Sequence, residues 1–198
     1  MLGETMRIIR GATPCVVAVC VATTLAACNS PQAQQPANEA APVEEVPAFH
    51  FQSGDLVLGD YDPYTIGENL FNPCAEITDE EFAAAGFVGK HDLGYDALAQ
   101  KASCFFESDD PDIRVGFIAN AANRETSGAQ ARFIEGIDAG NIPGVYFYQP
   151  QFDAGVCFAV VDTERGAFGT VASSVFPDAD VVPLCERASR SLQALYSL

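Results

Sequence analysis

The chain has 198 residues, with 10 basic and 27 acidic side chains and a formal charge of −17. So acidic a composition excludes nucleic acid as a partner, because phosphate binding needs a basic face, and it excludes a polybasic membrane contact. The surface it implies is soluble and resists non-specific association, rather than being built to bind a specific cation.

The first element is an export signal. Arg7 and Arg10 form a short positive region, and residues 8–27 are mostly apolar, with no charge from Cys15 to Ala27. That length suits the apolar core of a signal and is short for a stable membrane span. Ala26 and Ala27 suit a signal peptidase, and Leu25-Ala26-Ala27-Cys28 resembles the bacterial lipobox. The expectation is a lipoprotein signal peptide over residues 1–27. Cys28 then opens the mature chain, carries acyl chains and anchors it at the extracytoplasmic face of the cell membrane. Met6-Arg7 offers an alternative start to Met1. Loss of Glu4, Arg7 and Arg10 takes the formal charge to −18.

Residues 28–48 read as the lipidated cysteine and a linker. Pro31, Pro36, Pro42 and Pro47 lie among Gln, Ala and Glu, a composition that builds no core and stays extended. At ~3 Å per residue it reaches up to about 60 Å from the bilayer. One extracytoplasmic domain is expected over residues 49–198.

Within it, residues 56–58 suit a short strand and Gly59-Asp60-Tyr61-Asp62-Pro63 a turn. Thr78-Asp79-Glu80-Glu81 is a capping-box pattern, with Ile77 and Phe82 spaced as a hydrophobic staple and Gly86 as the helix stop. Residues 104–106 and 113–119 read as strands joined by the acidic turn Asp109-Asp110-Pro111-Asp112. Residues 123–138 read as a helix, because Ala129, Phe133 and Ile137 share one face. Residues 145–148, 157–161 and 167–175 read as strands, the last two joined at Thr163-Glu164-Arg165-Gly166. A final helix is expected over residues 183–196. Hairpins dominate, so the fold class is α+β: a mainly antiparallel sheet with helices packed on one face.

Cys15 and Cys20 leave with the signal and Cys28 takes lipid, so Cys74, Cys104, Cys157 and Cys185 remain. An even count in an exported chain implies two disulfides. The 157–175 hairpin returns the chain to the end where the last helix begins. That favours Cys157–Cys185 and leaves Cys74–Cys104, with Cys74–Cys185 plus Cys104–Cys157 still open. There is no CxxC, and the histidines are not placed as ligands, so no metal site and no cofactor are expected.

Several of these pieces together resemble one family of actinobacterial exported lipoproteins classed as a domain of unknown function. They are the lipobox, the linker, Asn72-Pro73-Cys74 ahead of a helix ending at Gly86, Cys104-Phe105-Phe106, Gly155-Val156-Cys157 and Cys185-Glu186-Arg187-Ala188. The resemblance covers about residues 70–196. Where family members often carry Trp after the second cysteine, this chain has Phe106 and no Trp anywhere. The architecture is also similar to the extracellular sensor domain of a mycobacterial Ser/Thr kinase, at the level of fold alone. The resemblance implies compartment and fold, and it carries over no catalytic residue.

Candidate chemistry is sparse. His91-Asp92 suggests a base with its orienter, but adjacent residues do not normally face each other and no activated nucleophile accompanies them. His91 reads as a solvated loop residue and His50 as one at the linker end. Glu107, Asp109, Asp110 and Asp112 lack EF-hand spacing and read as a hairpin tip; Asp60, Asp62 and Glu68 read the same way. Strand alternation puts Tyr146 and Tyr148 on one face and Phe147 on the other, as an aromatic cleft or as core with two half-exposed tyrosines. Glu125 and Glu135 have no paired acid in the sequence. The chain is therefore expected to be no enzyme. It reads as a membrane-tethered interaction or sensor module whose partner is an envelope protein, or alternatively as a carrier of a small apolar ligand or lipid in a pocket between sheet and helices.

Overall fold

The computed structural model describes residues 46–198. The expected signal peptide, Cys28 and residues 28–45 of the linker lie outside the described residues. The described residues form one compact unit.

Seven strands make one antiparallel sheet. In chain order they are β3 (His91–Asp96), β4 (Lys101–Phe106), β5 (Ile113–Asn120), β6 (Ala131–Ile134), β7 (Tyr146–Pro150), β8 (Val156–Thr163) and β9 (Gly166–Ser174). The hairpin β1 (Ala48–Phe51) and β2 (Gly54–Val57) stands outside this sheet. The helices are α1 (Pro73–Glu76), α2 (Asp79–Ala84), α3 (Arg124–Ser127) and α4 (Val181–Tyr196). The spatial order is β3-β4-β5-β9-β8-β7-β6. It is two up-and-down meanders zipped together where β5 meets β9, in a register running from Ile113↔Ser174 to Asn120↔Ala167.

The central strands are the apolar runs of the sequence, and they divide residues between two faces. Phe117 and Ala119 of β5, Phe168, Thr170 and Ala172 of β9, and Cys157, Ala159 and Val161 of β8 share the face covered by helices. α4 lies across it, presenting Leu184, Cys185, Ala188, Leu192 and Leu195, all buried, and turning Glu186 and Arg190 outward. The Thr170 hydroxyl donates to the Ala188 carbonyl at 2.6 Å, satisfying a fully buried polar group. Phenylalanines fill the rest. Phe168 meets Phe49, Phe71 and Phe51 edge to face at 5.1, 5.2 and 6.3 Å, and Phe117 packs with Phe82, Phe87 and Phe106. Each such ring contributes roughly 1.5–3 kcal/mol by leaving water.

Local signals in the sequence explain the ends of the elements. The Thr78 side chain accepts from the Glu81 amide, and the Glu81 carboxylate accepts from the Thr78 amide at 2.9 Å and the Gln52 amide at 2.7 Å. Burial alone would raise the Glu81 pKa, but these amides and the Thr78 hydroxyl outweigh it and hold the carboxyl below its ordinary value. Ile77 and Phe82 are both buried, as a staple requires, and Gly86 takes φ +91°, open to glycine without strain. Asn72 caps α1 by accepting from the Cys74 amide at 3.1 Å. Arg165, at the β8–β9 turn, reaches Glu76 through both guanidinium nitrogens at 2.5 and 3.0 Å, so that turn is clamped to α1.

One expected element needs correction. Residues 123–138 are not a helix: α3 stops at Ser127, and the chain then runs as β6, pairing Phe133 with Tyr148. Asn123 does cap the start, accepting from the Thr126 amide at 3.0 Å. Gly128 and Gly136 interrupt the helical pattern, and the open edge of β7 offers four paired residues in its place. The polar residues around His91, expected as loop, form the edge strand β3, bulged between Asp92 and Tyr95. Charged, bulged edges are how sheets avoid pairing with other chains.

Cys157 and Cys185 are joined, tying α4 to β8. Cys74 and Cys104 are buried, unbonded thiols on α1 and β4 that lie against each other; Cys104 and burial together push the Cys74 thiol well above its usual range.

Candidate functional site

The sheet face opposite α4 is built differently. Across β7 and β8 the register opposes Tyr146 to Val160 and Tyr148 to Phe158, so alternate residues of both strands point away from the core. Tyr148 and Phe158 stack with ring centroids 4.8 Å apart and planes 9° apart, and Tyr146 continues the row at 6.1 Å from Tyr148. Phe133 of β6 meets Tyr146 edge-on at 5.9 Å. A groove of about 370 Å³ runs beside this row, between the sheet and α3. Tyr148, Phe158, Ile118, Pro150 and Ala131 supply its apolar surface, and Asn120, Thr126, Ser127, Gln130 and Lys101 its polar surface. This groove lies beside α3, on the face away from α4. Beneath α4, the space is taken up by phenylalanine rings.

At the other end of the row stands a cluster around Asp162. The Tyr146 hydroxyl donates to the Asp162 carboxylate at 3.0 Å, and the Arg124 amide donates to its second oxygen at 3.4 Å. The Arg124 guanidinium lies 5.6 Å from the ring centres of both Phe133 and Tyr146, a cation–π arrangement that fixes α3 onto the row. The Tyr61 hydroxyl is buried with no hydrogen-bond partner among the described residues. Burial pushes the Asp162 pKa up, and the Asp60 charge adds to the rise, against the Arg124 amide and the Tyr146 hydroxyl, which lower it. Burial also pushes Tyr61 and Tyr146 above the usual phenol range, with the Asp162 charge adding to both, and takes Tyr148 up to about 12. The tyrosines are therefore neutral hydrogen-bond donors and flat apolar surfaces. None is poised as a phenolate base at neutral pH.

The residues singled out in the sequence fall in separate places. His50 pairs with Asp55 at 2.8 Å across the exposed β1–β2 hairpin. His91 opens β3 and lies with Leu93, Phe105 and Arg114 along a different depression. Asp109 reaches Arg187 of α4 at 2.7 Å, so the acidic turn serves as a clasp; Asp110 accepts from the Asp112 amide at 2.9 Å and Glu107 is exposed. Asp62 caps its own turn by accepting from the Tyr64 amide, Glu68 is exposed, and Asp60 lies in the mouth beside Asp162 with Glu125. Glu135 stands exposed just past β6. Tyr146 and Tyr148 share a face and Phe147 the other, as strand alternation requires. Phe158, Asn120, Gln130 and Asp162 were not singled out in the sequence. Phe158 was legible in principle, since it alternates with Cys157 and Ala159 inside a buried strand and so must face the other side. The polar members come from β5 and the α3 segment, and only the fold brings them together.

Comparison with known proteins adds one relation. A family model described as "Protein of unknown function (DUF3558)" matches residues 15–197. No curated protein and no solved structure matches the chain.

Proposed function

The chain belongs to the DUF3558 family of proteins of unknown function, and from that premise we propose that it is a cell-envelope lipoprotein that recognises a ligand without transforming it. Cys28 carries the lipid, the linker holds the domain away from the membrane, and the open face of the sheet meets the partner. The observation that supports this reading is the groove beside Tyr148 and Phe158. It is concave, half apolar, and lined by groups that hydrogen-bond but are not arranged as nucleophile and base. Its volume falls within the range of small-ligand sites. It is open along its length, which suits recognition of part of a larger partner better than the enclosed carriage of a lipid.

The test has two parts. Cells given labelled palmitate should place the label on the wild-type chain in the membrane fraction and not on Cys28→Ala; label on the variant overturns the anchoring. The full chain, purified in detergent, should be retained on isolated cell envelopes. Tyr148→Ala should reduce that retention about tenfold, the cost of losing one anchoring aromatic. Undiminished retention of the variant would place recognition elsewhere.

A further inference from the structure

Resting on the reading above, we propose that the groove between β5, β7, β8 and α3 is a saccharide-binding site, whose stacking surface is the Tyr148–Phe158 pair. Three observations carry it. The first is shape. Two nearly parallel rings, stacked with centroids 4.8 Å apart and each partly buried, hold one another rigidly as apolar surface beside Ile118. A pyranose ring presents a flat face of C–H bonds, and such a face packs on an aromatic surface at little entropic cost, because the aromatic side chains are already held.

The second is the polar side of the groove. Asn120 Oδ1 already accepts from the Ala122 amide at 2.8 Å, which orients the side chain and leaves its NH₂ to donate. Gln130 forms no side-chain hydrogen bond among the described residues, so its oxygen and NH₂ are both available. Amides that donate and accept side by side match vicinal hydroxyls, each of which is itself donor and acceptor. An acyl chain would leave these groups without partners as it displaced their water, at a cost of roughly 1–3 kcal/mol each.

The third is charge. The chain carries 27 acidic residues, yet no carboxylate lines this groove, and its one charge is Lys101, one of two lysines in the sequence. Cations and amines find no partner there. A neutral polyhydroxylated ligand is what the lining satisfies most completely, with Lys101 placed to donate to a hydroxyl oxygen or to pair with a single acidic substituent.

The experiment titrates the full chain in detergent with neutral oligosaccharides of three to six rings: gluco-, manno-, galacto-, arabino- and β-1,4-linked N-acetylglucosamine series. Isothermal titration calorimetry is the readout for every chain, since it does not depend on Tyr148, the tyrosine of the groove lining that two of the variants remove. At least one series should bind with a Kd below about 1 mM. Tyr148→Ala and Phe158→Leu should each weaken it about tenfold, whereas Tyr148→Phe, which keeps the ring, should bind as wild type. Asn120→Ala and Gln130→Ala should weaken it about threefold or more, and Phe176→Ala, exposed away from the groove, should change nothing. Phe158→Leu keeps apolar volume, so its loss of binding with an unchanged melting temperature reads the flat ring and not the fold. If no series binds while envelope retention still depends on Tyr148, the saccharide assignment falls and the recognition module stands. If retention has also lost its dependence on Tyr148, both fall. Saccharide binding indifferent to Tyr148 and Phe158 would overturn the site.

Discussion

The two faces of one sheet divide the work of this protein between them. On the covered face, Phe168 and its neighbours are sealed under α4, held by a disulfide and by the Thr170–Ala188 hydrogen bond. On the open face, Tyr146 is buried with Val160 and Ala167 in a smaller cluster, while Tyr148 and Phe158 continue the row beside an open groove. The strands are shared, so the difference is made by what the rest of the chain packs against each side. It teaches that an aromatic residue in this domain has two meanings, and that parity along the strand decides which applies.

The largest expected effect falls on the covered face. Phe168→Ala removes a fully buried ring touching four others and should cost about 3–5 kcal/mol, enough to unfold a marginal domain. Phe158→Ala, which removes a partly buried ring, should cost less, about 1–2 kcal/mol. Chemical denaturation of the two variants checks this. Equal losses would erase the distinction between the faces.

Next comes the disulfide. Cys157–Cys185 closes a separation of 28 residues, and its reduction should cost about 3–4 kcal/mol. Cys74 and Cys104 are neighbours in the same buried layer, and oxidised protein should also show them joined. Peptide mapping without reductant reads the pairing, and a denaturation midpoint unmoved by reductant would contradict the stabilisation.

The smallest effect sharpens the comparison through pH. Glu81 lies on the covered side with a lowered pKa; its stabilisation is present above the ordinary glutamate value and is lost as pH falls through the folded one. Asp162 lies at the open row with a raised pKa; its contribution is full below the ordinary aspartate value and is lost as pH rises through the folded one. Glu81→Gln should therefore flatten the acid limb of a melting-temperature profile, and Asp162→Asn should lift the profile above it. Profiles of the two variants that move in the same direction would contradict these assignments.

The covered face was largely legible in the sequence, because its signals are local and dense. Thr78 to Glu81 announces a capped helix, the 157–161 run a buried strand, and the spacing of Leu184, Ala188, Leu192 and Leu195 the stripe of α4. The open face was legible only in part. Tyr146 and Tyr148 could be placed together by parity, but the i, i+4 spacing of Ala129, Phe133 and Ile137 imitated a helix where pairing with β7 makes a strand. β3 could not be seen, since an exposed, charged, bulged edge has no apolar alternation to betray it. Asn120 and Gln130 are ordinary polar residues until β5 and the α3 segment bring them to one groove. A site assembled from distant strands by register leaves little trace in any one stretch.

The central claim is that recognition belongs to the open face, and two truncations on opposite faces of one strand test it directly. Phe158→Ala trims the row, and Val161→Ala trims the covered face of the same strand, where Val161 is buried. Retention of each full chain on isolated envelopes should fall about tenfold for Phe158→Ala and stay at the wild-type level for Val161→Ala, although Val161 is buried in the core. Retention that follows stability instead of face, or that neither truncation alters, would contradict the account.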